Sequence, residues 1–175
     1  SHPLVAVYAS PLGRALETAC LIAAPHRLQP HACEGLREID HGHWEEKRRE
    51  EVARAFPEEY ANWEADPFTF APRGGEAGLN VLARALPVIR EIIARHRDAT
   101  VLVVSHKATI RLVISSLLGF DARGYRDRLD QHPACLNLLD FRDETRARLS
   151  LVNDISRYRS LPEPPTGQHL SRWWD

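Results

Sequence analysis

The sequence has no methionine, and its cysteines, Cys20, Cys33 and Cys135, are odd in number and far apart. Scattered, odd thiols exclude a disulfide framework and a cysteine zinc site. Neither sign of charge is in excess: 23 Lys and Arg stand against 24 Asp and Glu, a formal net charge of −1. No global basic field is available to attract nucleic acid or a membrane surface, and neither partner is expected. Long apolar runs are missing too, so nothing approaches the ~20 residues that span a bilayer. The stretch from Ser1 to Tyr8 lacks the charged and apolar regions of a signal peptide. What is present, 43% hydrophobic and 27% charged residues over 175 positions, suits one packed domain. A cytoplasmic globular protein is expected. The missing Met, with an apolar strand starting almost at once, leads to the expectation that an N-terminal piece precedes Ser1.

Leu4 to Tyr8 is a short run rich in β-formers and reads as a buried strand. Ser10 and Pro11 suit the cap and first position of a helix whose inner face carries Leu12, Leu16, Ala19 and Ala23, with Pro25 as its stop. Leu36 to Gly42 reads as a structured loop with a short strand. Val52, Phe56, Tyr60 and Trp63 form an apolar stripe along a helix or pair of helices broken at Pro57, and Asp66 to Gly78 is a loop. Leu79, Leu82, Leu86, Ile89 and Ile93 mark a long helix kinked at Pro87. Thr100 to Val104 is β-branched and unbroken, as a strand buried on both faces should be, and a helix follows from Ala108 to Leu118. Ala134 to Phe141 and Arg148 to Val152 read as two more strands. This alternation implies an α/β three-layer sandwich: a mainly parallel central sheet flanked by helices. The domain is placed at 1–159, with a Pro-rich extended tail at 160–175 that Trp173 and Trp174 could dock.

Two residues stand where such a sheet binds ligands, and a third lies on a loop. His106 directly follows one strand and precedes a helix, at the carboxyl edge where helix N–H groups favour an anion. Arg14 lies in the first turn after the other strand; a guanidinium there grips phosphate with two parallel bonds, although a single Arg taken alone reads better as an exposed surface residue. Glu38 lies between Leu36 and Ile39. An apolar setting there would raise its pKa and make it a proton donor, whereas pairing with Arg37 would make it a loop carboxylate. Together they outline an anion-binding crevice with an acid. His41 and His43 have no clear third ligand and read as loop structure, so no metal or cofactor is expected. Ser10 lacks a Gly-x-Ser-x-Gly elbow and is not read as a nucleophile.

In order along the chain, Tyr8-Ala9-Ser10-Pro11-Leu12-Gly13-Arg14-Ala15-Leu16-Glu17-Thr18-Ala19, Leu36-Arg37-Glu38-Ile39-Asp40-His41-Gly42-His43-Trp44-Glu45, Pro72-Arg73-Gly74-Gly75-Glu76 and Val103-Val104-Ser105-His106-Lys107-Ala108-Thr109-Ile110-Arg111 resemble four segments of the histidine phosphatase superfamily, also called phosphoglycerate mutase-like. Leu151-Val152-Asn153-Asp154 is similar to its last strand. By that resemblance Arg14 binds the phosphoryl group, Glu38 is the general acid and His106 is the second active-site histidine. Ser10, Glu76 and Arg111 are supporting positions: Glu76 on a loop that contacts substrate or closes the site, Arg111 in an ion pair. Lys107 stands where the family usually has Gly, and either adds charge to the phosphate site or points to solvent. The family's nucleophile, a His in Arg-His-Gly on the first strand, has no counterpart here; the family order places that strand before Ser1. The resemblance implies a metal-independent phosphatase acting on small phosphorylated metabolites through a phosphohistidine. Its rivals are a phosphoglycerate-type mutase and an inactive phospholigand-binding relative. Strand exchange in a homodimer is another way to complete the sheet.

Overall fold

The computed structural model describes residues 3–158. The chain order is β1 (Leu4–Ala9), α1 (Gly13–Ala23), β2 (Pro30–Ala32), α2 (Arg49–Ala55), α3 (Pro57–Ala65), α4 (Gly78–Arg95), β3 (Thr100–Val104), α5 (Lys107–Leu117), α6 (Tyr125–Arg128), β4 (Leu136–Phe141) and β5 (Ala147–Asp154). Successive side chains of β1 point to opposite faces, and both faces are apolar. Val7 and Ala9 pack against Leu16, Ala19 and Ala23 of α1. Ala6 and Tyr8 pack against Val88, Ile89 and Ile92 of α4. The small residues of α1 let that helix lie close to the sheet. The result is the expected three-layer α/β arrangement, with a parallel sheet of order β2-β1-β3.

Register places the site. Ala9 of β1 pairs with Val104 of β3, so the two strands end level. The Ser10 N–H continues the ladder to the Val104 carbonyl at 2.9 Å. Ser10 and His106 therefore emerge side by side at the carboxyl edge.

Several expectations are corrected. The short strand is not at Leu36 but earlier, at Pro30–Ala32; Glu34–Leu36 is a 3-10 turn. Ser10 does not cap α1, which begins at Gly13 with Leu12 as its flanking residue; the Ser10 hydroxyl meets His106 and the Leu12 N–H, short of the helix. Thr100 is exposed and Val101–Val104 are only half-buried, not buried on both faces. The reason is pairing. Among the described residues β3 is bonded to β1 alone, and β4 and β5 form a separate antiparallel hairpin. The unpaired edges of β3 and β4 both line one cleft of about 2880 Å³. The tail at 160–175, with Trp173 and Trp174, lies outside the described residues.

A second core anchors the loop that carries the acid. Trp44, Val52 and Trp63 are buried together under Phe56, Tyr60 and Phe70, as the apolar stripe required. His43 hydrogen-bonds Glu59 through Nε2 at 2.7 Å, and His41 packs edge-on to Trp63. Both histidines are thus built into the loop.

Candidate active site

His106 is the residue just before α5 and has an extended backbone. Its Nε2 lies 2.8 Å from the Ser10 hydroxyl, and both residues are buried. That hydroxyl also accepts the Leu12 N–H at 3.2 Å. Ser10 thus fixes the imidazole and the first turn beyond β1 together. Burial holds His106 below the ordinary imidazole range; the Glu38 charge opposes this, and Arg14 and Arg84 reinforce it. The ring is neutral at physiological pH.

Glu38 is not in an apolar setting. Its carboxylate sits on the first turn of α5, accepting the Ala108 N–H at 3.1 Å and the Thr109 N–H at 3.2 Å. The Thr109 hydroxyl and the Ile39 N–H also donate to it, at 3.2 and 3.0 Å. The first N–H groups of a helix have no partner within the helix, and its N-terminus carries partial positive charge, so a carboxylate is well placed there. Nor does Glu38 pair with Arg37, whose guanidinium reaches Glu34 at 3.5 Å instead.

Arg14 is exposed in the first turn of α1 and lines the same cleft as Glu38, His106 and Lys107. Lys107, the first residue of α5, is half-buried there. Arg111 is buried and reaches Asp130 at 3.4 Å. Glu76 stands apart from the cleft. Its carboxylate takes two bonds from Arg84, both 2.8 Å, and one from the Asp40 N–H at 3.1 Å, so it grips the acid's loop rather than facing ligand. The structure thus brings Arg14, Glu38, His106 and Lys107 together, with Ser10 behind them, and holds Glu76 outside the cleft on Arg84.

Sequence reasoning missed Arg84, Thr109 and Tyr125. Arg84 follows Glu76 at a spacing that reaches back from α4, but many Arg residues share that helix and no local signal singles it out. Thr109 lies three positions after His106 in a helix's first turn, where a hydroxyl commonly meets a loop. Tyr125 lines the cleft; it is 2% exposed, and burial pushes its phenol up to about 12, so it stays protonated.

The comparisons with known proteins follow this geometry. The family model of the histidine phosphatase superfamily (branch 1) matches residues 1–155. Phosphoserine phosphatase 1 of Hydrogenobacter thermophilus is 36% identical over 115 residues, covering 66% of this chain and 54% of that protein. The Bacillus stearothermophilus YhfR structure superposes with a TM-score of 0.80 at 27% identity, over 87% of this chain and 75% of that one. The mycobacterial glucosyl-3-phosphoglycerate phosphatase Rv2419c does so with a TM-score of 0.76 at 25% identity, over 86% and 76%. The chain spans about half the length, or less, of the curated relatives it matches first. Among the described residues no helix is long and apolar enough to cross a membrane. The cleft at the carboxyl edge, the ordered motifs and these matches agree: the chain belongs to the histidine phosphatase superfamily.

Proposed function

We propose that this chain carries the phosphate-binding and acid residues of a phosphatase that hydrolyses small phosphomonoesters through a phosphohistidine without using a metal. The observation that carries the reading is the meeting of buried His106 and Glu38 at the start of α5, in one cleft with Arg14. Arg14 binds the phosphoryl group in bidentate fashion, and Lys107 adds charge beside it. With the Ser10 hydroxyl donating to Nε2, His106 presents its other ring nitrogen as an N–H donor to an equatorial phosphoryl oxygen. Donors fixed in this way stabilise the charge that spreads over those oxygens in the transition state.

The nucleophile in this reading is a histidine on a strand seated between the free edges of β3 and β4. The volume of the cleft and the β3 edge left unpaired among the described residues support that seat. The histidine attacks phosphorus in line, forming an N–P bond as the P–O bond to the alcohol breaks. Glu38 takes a proton from the bound monoester, whose phosphoryl group arrives monoprotonated, and gives it to the leaving oxygen. Water then attacks the phosphohistidine, its proton passes to Glu38, the N–P bond breaks and inorganic phosphate leaves. Phosphoserine and glucosyl-3-phosphoglycerate, named for the relatives, are the first substrates to try.

The test is rapid quench of the natural protein with a ³²P-labelled phosphomonoester. Label that is stable in alkali, labile in acid and lost in Arg14→Ala supports the reading. Phosphate release without such label, or no release at all, overturns it; an isomeric ester in place of free phosphate means a mutase.

A further inference from the structure

The acid's loop is held by a residue that cannot itself touch substrate. Arg84 projects from α4 with all five of its N–H donors in use. Its Nη1 donates to the Gly35 and Arg37 carbonyls, both at 2.9 Å. Its Nη2 donates to the Glu38 carbonyl at 3.0 Å and to Glu76 at 2.8 Å, and its Nε donates to the other Glu76 oxygen at 2.8 Å. Three of these five bonds end on the backbone that carries Glu38. No donor is left for a phosphate, although the charge lies close enough to act on His106.

The clamp has a second arm. Glu76, fixed by Arg84, accepts the Asp40 N–H at 3.1 Å, and its own N–H returns to the Asp40 carbonyl at 2.8 Å. The backbone is thus tied on both sides of Glu38 while the carboxylate is tied to α5. Gly35 and Gly75 make the close approach possible. A Cβ on Gly35 would lie 2.5 Å from the Arg84 carbonyl, and one on Gly75 would lie 2.6 Å from the Asp40 carbonyl.

We infer that Arg84, with Glu76, is a positioning residue that sets the reach of Glu38 for proton transfer to the leaving group. This rests on the reading of Glu38 as the acid. Proton transfer is steep in distance, and a misplacement of about 1 Å can cost about a hundredfold in rate. A Lys offers three donors from one point and cannot serve three carbonyls and a carboxylate in the plane that Arg84 spans.

The leaving group separates positioning from mere loop support. An alkyl phosphate needs its leaving oxygen protonated, whereas 2,4-dinitrophenolate departs unaided. For Arg84→Lys in the natural protein, kcat/KM for glycerol phosphate should fall about tenfold or more. For 2,4-dinitrophenyl phosphate it should fall less than about threefold, with inhibition by inorganic phosphate little changed. Glu76→Gln should show the same selectivity more weakly, and it carries the test if Arg84→Lys does not fold. Equal losses on both substrates, or none, overturn the inference. Glu38→Gln on the same two substrates keeps the outcomes apart. If it shows no leaving-group selectivity, the acid reading itself fails; if it does and neither clamp variant follows, only the positioning role fails.

Discussion

Glu38→Ala should cost this protein stability as well as turnover, because the carboxylate is part of the structure of α5. The substitution leaves the Ala108, Thr109 and Ile39 N–H groups without their acceptor; the Thr109 hydroxyl keeps the Arg37 carbonyl at 2.7 Å. Loss of a side-chain cap costs about 0.5–2 kcal/mol. Loss of a negative charge at a helix N-terminus costs about 0.3–1 kcal/mol, more when partly buried. The two overlap, so the expected loss is about 2 kcal/mol, or roughly 4–8 °C in Tm for a chain of this size. Glu38→Gln keeps one acceptor oxygen and loses the charge, and should cost about 1 kcal/mol. Urea unfolding of the three proteins at neutral pH measures both. Turnover of an alkyl phosphate should fall by about 10²–10⁴ in either variant. A Glu38→Ala protein as stable as the parent within about 0.5 kcal/mol would refute the seat on α5, whatever its activity.

Other outcomes follow from the same contacts. Arg14 is exposed and should be dispensable for folding, so Arg14→Ala should change stability by less than about 0.5 kcal/mol while lowering kcat/KM for any phosphomonoester; calorimetry and kinetics check the pair. His41 and His106 are both held below the usual 6.5, chiefly by burial. The unfolded chain then binds protons that the folded chain resists, so their stabilisation is complete above about pH 6.5 and is lost as pH falls through the folded values; urea midpoints from about pH 7.5 to 5 should decline, less so in His106→Asn. Trp44 is fully buried beside Trp63, and Trp44→Ala should destabilise by about 3–5 kcal/mol in thermal or urea unfolding.

How far this could be read from the sequence depends on how local the cause is. The strand before His106 and the helix after it are set by Val101–Val104 and by the helix-forming run from Ala108, so the position of His106 was legible. Arg14 was legible for the same reason. Glu38 was found by motif, but its surroundings were not. Its partners lie on α5, far along the chain, and no spacing rule connects a loop carboxylate to a helix start it meets only in the folded protein. Ser10 shows the opposite error. Its local pattern predicts a helix cap, yet its hydroxyl goes to His106 across the sheet. Arg84 had no local signature, since its four partners, Gly35, Arg37, Glu38 and Glu76, meet it only in the folded chain. The strand at Thr100–Val104 carried the hydrophobicity of a fully covered strand, and only its pairing reveals the open edge.

The sheet register also bears on how the chain assembles. β1 is the middle strand of the described sheet and pairs with β3 from Leu4↔Thr100 to Ala9↔Val104. Synthesis at about 5–20 residues per second separates these two strands by roughly 5–20 s. Through that interval Val5, Val7 and Tyr8 lack β3, with only the short β2 to pair along one edge. Such distant pairing slows folding and leaves an unpaired edge available to other chains. A chaperone that shields β1 should therefore raise the soluble yield more than one acting after release. The active-site edge, which needs Ser10 beside His106, closes only when that late pairing is made.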